Sequence, residues 1–477
     1  MNGCDHQPVQ ADLGKAIEVA SELYPDINFK HSNFPDYIKA IKEKVPNDLA
    51  VVKGELTSQD TDGWSTLINC ASSHIYLKQM NRKCESALEN GAEPVRVLSS
   101  VLGQNYPSDE LEYSWKKLMQ NHPHDSICCC SVDEVQDEMA TRFNKSKQVA
   151  DYLVSEGTRY IADKINTKEY EKYKNALPFV VFNTTGRKRT SVVSVEIDVT
   201  RKSGWLKKCA YDLDEINVPN YKLIDSAGNS IPFKIEDLGV RFGYDLPKDK
   251  FRQPYMARRV RVTFEAENIS AVGYKTYALV EGDAEKVTDT LVSGENCMEN
   301  DAIRVEINKN GSLNVTDKAS GRTYKGVAYY EETGDLGNEY MYKMPEGSKA
   351  ITTQDTVAKI ELAEDEPYRA MYKITNTITV PKSGDDNFED EKRHMVFFKE
   401  RVGGRSNDTV EMKIETFVSL DKNGKGVKIK TRFDNEVKDH RVRIMVPTGI
   451  NSDVHKADSV FEVVTRNNRH NAGWNNP

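Results

Sequence analysis

The sequence predicts a multidomain α+β protein, with a little α/β material first, then a helical bundle, then two antiparallel β-sandwiches. Three observations carry this prediction. The chain has 477 residues, and a soft prior for that length is about three domains. Apolar residues recur at helical spacing between about 46 and 172. After about 175 the period changes to two, and turn signals recur to the end of the chain.

Composition narrows the class. A hydrophobic fraction of 38% beside a charged fraction of 29% describes a globular chain with ample core. The net charge is −8 and there is no long Lys/Arg run, so nucleic acid and anionic membranes are not expected partners. No apolar run approaches the roughly 20 residues of a membrane span. Eight scattered cysteines show no disulfide-framework spacing. That favours a reducing compartment, the cytoplasm. Self-association as a homo-oligomer is left open.

In order, residues 1–45 read as α/β material. Met1 to Pro8 lacks a basic region and apolar core, so it is not a signal peptide. It reads as a loop after a buried strand, entering a helix with Leu13, Ile17, Ala20 and Tyr24 on one face. Both ends of the sequence read as cuts in a longer chain. Ile27 to Lys30 is expected to be extended, and Asn33 and Pro35 mark the start of a helix. Residues 46–172 read as a three-helix bundle. Its first helix is expected from near Trp64 to Asn90, with Gly91 as the stop. The second covers about 108–120. The third starts at Ser131 and carries Val135, Met139, Phe143, Ala150, Leu153, Gly157 and Ile161.

Residues 173–290 read as a small sandwich, with strands at Phe179–Phe182, around Val192–Ile197, and at Arg259–Phe264. Residues 291–477 read as a larger one. There Asn310-Gly311, between Val305–Ile307 and Leu313–Val315, signals a two-residue hairpin turn. No helical pattern of any length is expected after 175.

The densest chemistry lies in Asn121-His122-Pro123-His124-Asp125-Ser126-Ile127-Cys128-Cys129-Cys130. Two imidazoles, a carboxylate and three thiols fall in a break between two helices. Pro123 ends the first, and Ser131 with Glu134 forms a capping box opening the second. Zinc needs three or four donors. His124 and Asp125 could offer one or two, or could equally be satisfied helix-end residues. The adjacent cysteines point in different directions and read as small buried hydrophobes.

The run NHPHDSICCCSVDEV resembles the bacterial α-mannosidases of glycoside hydrolase family 38. Asn2 to Pro8, Gly54-Glu55-Leu56, Ser72 to Lys78, Gly334 to Tyr340 and Asp439 to Arg443 agree with it. The resemblance implies the end of a catalytic α/β barrel, a helical bundle and two sandwiches. It implies a retaining, zinc-dependent hydrolase of terminal α-mannosides, either oligosaccharides or mannosylglycerate. Carried over by motif, Asp5 matches the acid/base, with His6 beside it as a group able to tune it. His124 matches a zinc ligand, and Asp125 and Tyr340 match residues that contact the sugar. His122 is expected behind the ligand rather than on the metal.

The early zinc ligands and the nucleophile would lie ahead of Asp5, so these 477 residues alone are expected to be inactive. Thr57 and His74 stand where relatives carry Arg, and Cys129 where they carry Gly. The last change matters if the backbone there needs positive φ. The alternative reading is a non-catalytic carbohydrate-binding or scaffold protein made of the bundle and sandwiches.

Overall fold

The structure is a computed structural model. It describes residues 8–51, 68–285, 288–338, 340, 342–459 and 462–468. The chain divides into two compact units, residues 1–58 with 454–467, and the remainder.

In the first unit, helices span Leu13–Leu23 and Phe34–Lys42, and strands Val454–Ser459 and Glu462–Asn467 form an antiparallel hairpin. Asn33 caps its helix as expected: its Oδ1 accepts from the Asp36 amide at 2.9 Å. Ile27 to Lys30 is not a strand. The Ile27 N–H closes a turn onto the Tyr24 carbonyl at 3.0 Å, so this short segment has no ladder to join.

In the second unit, a bundle is built on the 30-residue helix Asp133–Ala162. Helices Ile75–Ala87, Glu93–Val101 and Ser108–Met119 pack against it. Leu77, Leu88, Leu111, Leu118, Met139, Phe143 and Leu153 share one core. Buried polar pairs set the register. Ser114 Oγ donates to the Ser146 carbonyl at 2.9 Å, and Asn121 Nδ2 to the Met139 carbonyl at 3.2 Å.

Gly91 does not stop the helix. It lies within a π-helical turn, Leu88–Ala92, that leads directly into Glu93–Val101. A Cβ on Gly91 would stand 3.0 Å from Val154, and one on Gly157 would stand 2.6 Å from Val95. Both glycines therefore serve close helix contact rather than termination.

The capping box also fails to form. Val132 is the cap residue, and the Ser131 hydroxyl is buried with no partner. Gln136 instead braces the loop entering the helix, its Nε2 donating to the carbonyls of Cys129 (3.3 Å) and Ser131 (3.0 Å). That gives Gln136 the buried place, while Val135 is only half-buried.

The first sandwich faces two antiparallel sheets. One has the order Leu177–Asn183, Gly273–Glu281, Tyr221–Asp225, Ser230–Ile231. The other has Arg189–Lys202, Gln253–Ile269, Phe233–Asp245. Val260, Val262, Phe264, Leu223 and Leu279 meet between them. The second sandwich sets a five-stranded sheet, from Arg322–Val327 through to Val292–Gly294, against Lys359–Glu366, Arg369–Pro381, Thr409–Asp421 and Lys428–Arg432. A third sheet pairs Tyr329–Gly334 with His440–Met445 and Ile351–Thr352.

Two helices interrupt the strands, contrary to expectation. Leu206–Asp214 buries Cys209 and Leu213 against the Gln253–Ile269 strand. Asp386–Arg393 is capped by Asp385 and buries Phe388. Each is too short for its period to stand out from the strand pattern. The Asn310-Gly311 hairpin forms with a longer turn than expected. Asn308 N donates to the Ser312 carbonyl and Gly311 N to the Asn308 carbonyl, both at 2.8 Å, with Gly311 at φ +84.

Glu332 has no exposed surface and lies on the strand Tyr329–Gly334. Arg405 grips it bidentately at 2.8 and 2.5 Å, and His440 Nδ1 lies 3.3 Å away. Burial pushes this carboxyl upward, but His440 and Arg405 outweigh it and hold it below its ordinary 4.5. A depressed folded-state value contributes stability above the unfolded pKa and loses it as pH falls through the folded one. Denaturant midpoints should therefore fall below about pH 4.5. Glu332→Gln, which leaves Arg405 buried and unpaired, should cost about 3–5 kcal/mol at pH 7 and flatten that acid limb. Gly157→Ala should cost about 1–3 kcal/mol by overpacking against Val95, read as a lower urea midpoint.

Candidate functional site

The helix Ser108–Met119 ends before the proline, and a turn through Asn121 and His122 leads to Pro123. Pro123 then opens a four-residue helical turn, His124–Ile127, so the polar residues sit on one turn of helix rather than in an irregular loop. His124 and Asp125 are side by side, with Nε2 and Oδ1 3.5 Å apart. Their side chains are 75% and 67% exposed, so both are presented outward. The Cys130 thiol contacts the Asp125 carbonyl and Oδ1, each at 3.6 Å. His122 turns away from them, with its Nε2 2.8 Å from Asn81 Oδ1, and Asn81 Nδ2 donates to Glu85.

Behind this turn Cys129 is buried in the bundle core at φ +62, the left-handed region. This is the condition under which a side chain at a glycine position matters, and its strain costs on the order of 1–2 kcal/mol. Lys78 braces the spot: its Nζ donates to the Ser73 carbonyl at 2.6 Å and lies 3.1 Å from Cys129 Sγ. Burial, then the neighbouring Cys128 and Cys130, pushes the Cys70 thiol up to about 12. Burial likewise raises Cys128. Burial thus favours the neutral form of both thiols. Cys70 and Lys78 are 51 or more residues from Cys129, and no local pattern tied either of them to it. His74 heads its helix at φ +42, with its ring stacked on Tyr76 at 6.0 Å.

An imidazole nitrogen and a carboxylate oxygen suit zinc. The exposed pair fits such an ion as one or two donors. Among the described residues no group of three His, Cys, Asp or Glu is arranged to hold a metal, so further donors would have to come from elsewhere. Asp5, His6 and Thr57 lie outside the described residues.

Tyr340 is half-buried in the loop following Tyr329–Gly334. Its N–H donates to Asn338 Oδ1 at 3.0 Å. At the loop's base, Asp335 Oδ1 accepts from the amides of Gly337 (2.8 Å) and Lys343 (3.0 Å). Burial raises this carboxyl above its usual range. Arg441 lies over the Tyr342 ring, 3.3 Å from its centroid. The sequence reading singled out none of Asp335, Lys343, Arg401 or Arg441 individually.

Three family models match the chain. They are the alpha mannosidase middle domain over residues 65–161, glycosyl hydrolases family 38 C-terminal domain 1 over 174–281, and the glycosyl hydrolases family 38 C-terminal domain over 298–477. A protein of Halalkalibacterium halodurans, named as a candidate mannosylglycerate hydrolase, is 41% identical over 492 residues; the match covers 100% of this chain and 54% of that protein. The crystal structure of an α-mannosidase from Enterococcus faecalis V583 superposes with a TM-score of 0.96 at 42% identity, covering 100% of this chain and 54% of the other. A second structure, of a glycosyl hydrolase family 38 protein from Enterococcus faecalis, gives 0.88 at 39% identity, covering 98% and 54%. The chain spans about half the length of the relatives it matches.

The strain at Cys129 is open to measurement. Cys129→Gly relieves it but loses a buried side chain, and should change stability by no more than about 1 kcal/mol. Cys129→Val adds a β-branch where φ is positive and should cost at least about 2 kcal/mol. Equal midpoints for the two variants in urea unfolding would refute the left-handed assignment.

Proposed function

The chain belongs to glycoside hydrolase family 38, and from that premise we propose that it forms part of a retaining, zinc-dependent α-mannosidase. Its substrates are terminal α-mannosides, either short oligosaccharides or mannosylglycerate. The observation that carries this reading is the His124–Asp125 pair, side by side at 3.5 Å and presented outward on a single helical turn. The mannosidase names of the relatives support it.

In this reading His124 supplies a neutral imidazole nitrogen to the metal, and Asp125 accepts hydrogen bonds from sugar hydroxyls. Zinc, when bound, polarises those hydroxyls and orients the ring. Asp5 protonates the glycosidic oxygen as its bond to the anomeric carbon breaks, then takes a proton from the incoming water. The nucleophilic carboxylate that holds the glycosyl group between these steps, and the other zinc donors, belong to sequence beyond these 477 residues. Tyr340 reaches the sugar from the second sandwich. No described helix is long and apolar enough to cross a membrane, and none of the seven described cysteines is in a disulfide. Both fit the proposed cytoplasmic location.

The expected results are specific. Residues 1–477 alone should bind zinc weakly and release nothing from an aryl α-mannoside. The longer enzyme should hydrolyse it with initial release of the α-anomer, seen by NMR, and should lose activity to a chelator. Changing groups behind a ligand costs about 10–100-fold, so His124→Ala should cost at least that much and lower the zinc content measured by atomic absorption. A β-configured first product, or full activity in chelator, refutes the mechanism. Zinc-independent binding of mannobiose by the 477-residue chain would instead favour a binding module.

A further inference from the structure

We propose that Arg401 and Lys343 are positioning residues for Tyr340, holding the loop that carries it through a reciprocal clamp on the main chain. The proposal rests on the reading above, in which Tyr340 contacts the sugar.

The loop is closed at its neck, where Leu336 N donates to the Lys343 carbonyl at 2.7 Å. Asp335 ties the Gly337 and Lys343 amides from below. Leu336 and Tyr342 are buried on either side of the apex. Tyr340 therefore sits near the tip of a short excursion whose two ends are fixed.

A second segment, around the Phe398–Glu400 turn, lies against this loop. Each segment donates a cation to the other's carbonyls. Arg401 Nη1 donates to Leu336 O at 2.7 Å and to Gly337 O at 2.6 Å. Lys343 Nζ donates to the carbonyls of Phe398 (3.1 Å), Lys399 (2.9 Å) and Arg401 (2.6 Å). An ammonium has three donors, and here three carbonyls take them. Arg401 is held in turn by the Val396 carbonyl at 3.0 Å and by the Phe388 ring, 5.6 Å from its guanidinium carbon.

Five charge-assisted bonds thus run between the two segments and end on backbone oxygens, and such bonds are roughly twice as strong as neutral ones. Bonds to backbone fix the course of the chain that carries Tyr340. Lys at 401 would lose the Nε bond to the Val396 carbonyl and the planar guanidinium over the Phe388 ring, which together aim Nη1 at the two carbonyls.

The test is a double-mutant cycle in the longer enzyme on an aryl α-mannoside. Tyr340→Phe and Arg401→Lys should each lower kcat/KM by about tenfold, and the double variant should lose about the same, because the same contact is lost once. Losses that multiply to about a hundredfold would make Arg401 a structural residue and overturn the proposal. In the 477-residue chain itself, the amides of residues 337, 338, 340, 342 and 343 should exchange with deuterium about tenfold faster in Arg401→Lys and in Lys343→Met, and at the parent rate in Tyr340→Phe. Unchanged exchange in both clamp variants also overturns it. An unsubstituted enzyme inactive on every α-mannoside would overturn the functional reading instead, and that failure shows before any substitution is made.

Discussion

The Asp133–Ala162 helix is the constraint to which the His124–Asp125 turn answers. Thirty residues of α-helix make a rod of about 45 Å, and one stretch of it holds both ends of the polar segment. Asn121 Nδ2 donates to the Met139 carbonyl, while Gln136 Nε2 holds the carbonyls of Cys129 and Ser131. Residues 136 and 139 are one helical turn apart, so residues 121–131 leave and rejoin the same patch of the rod. An excursion pinned this way cannot drift, which is what a ligand on a short turn needs. Lys78 adds a third point of attachment from the Ile75–Ala87 helix.

The loop bearing Tyr340 is held by different means to the same end. The strand Tyr329–Gly334 leads into it, and Glu332, Arg405 and His440 form a buried charged group on that strand. Asp335 N then donates to the Asp439 carbonyl at 2.8 Å, carrying the fixed geometry one residue further. In both places the bonds that fix geometry reach the backbone or a supporting side chain. The residues assigned to chemistry are left outward or at a loop tip.

The architecture was legible where one physical signal dominated. The period of the Met139, Phe143, Ala150, Leu153 and Ile161 stripe reflects burial against a single core, and it gave the long helix. The change to period two gave the sandwiches. The reading failed where one residue type answers to two demands. Gly91 could mark a helix end or a close contact, and only the neighbouring Val154 decides between them. Ser131 and Glu134 have the residue types of a capping box, but Val132 takes the cap position and the Ser131 hydroxyl is buried without a partner. At the site, the outward His124–Asp125 pair was visible as a motif. Lys78 and Asp335 lay inside runs quoted for the resemblance but had no role assigned, and Lys343 and Arg401 were not visible, because their partners are backbone carbonyls that no side-chain pattern records.

Cys129 shows how such a corner tolerates a residue that local geometry disfavours. A Cβ at φ +62 costs on the order of 1–2 kcal/mol. The side chain that brings that cost is also buried in the bundle core and meets the Lys78 ammonium at 3.1 Å. Burying one small apolar group returns about 1 kcal/mol, and a contact to a charged donor is of similar size. The two sides nearly balance, so the turn keeps its shape with cysteine as it would with glycine. The left-handed residue lies between the helical turn His124–Ile127 and the start of the long helix. Its backbone conformation reverses the chain there and lets the Cys130 amide return to the Asp125 carbonyl at 3.2 Å. The outward aim of Asp125 therefore depends on a backbone state at residue 129 that neither the histidine nor the aspartate controls.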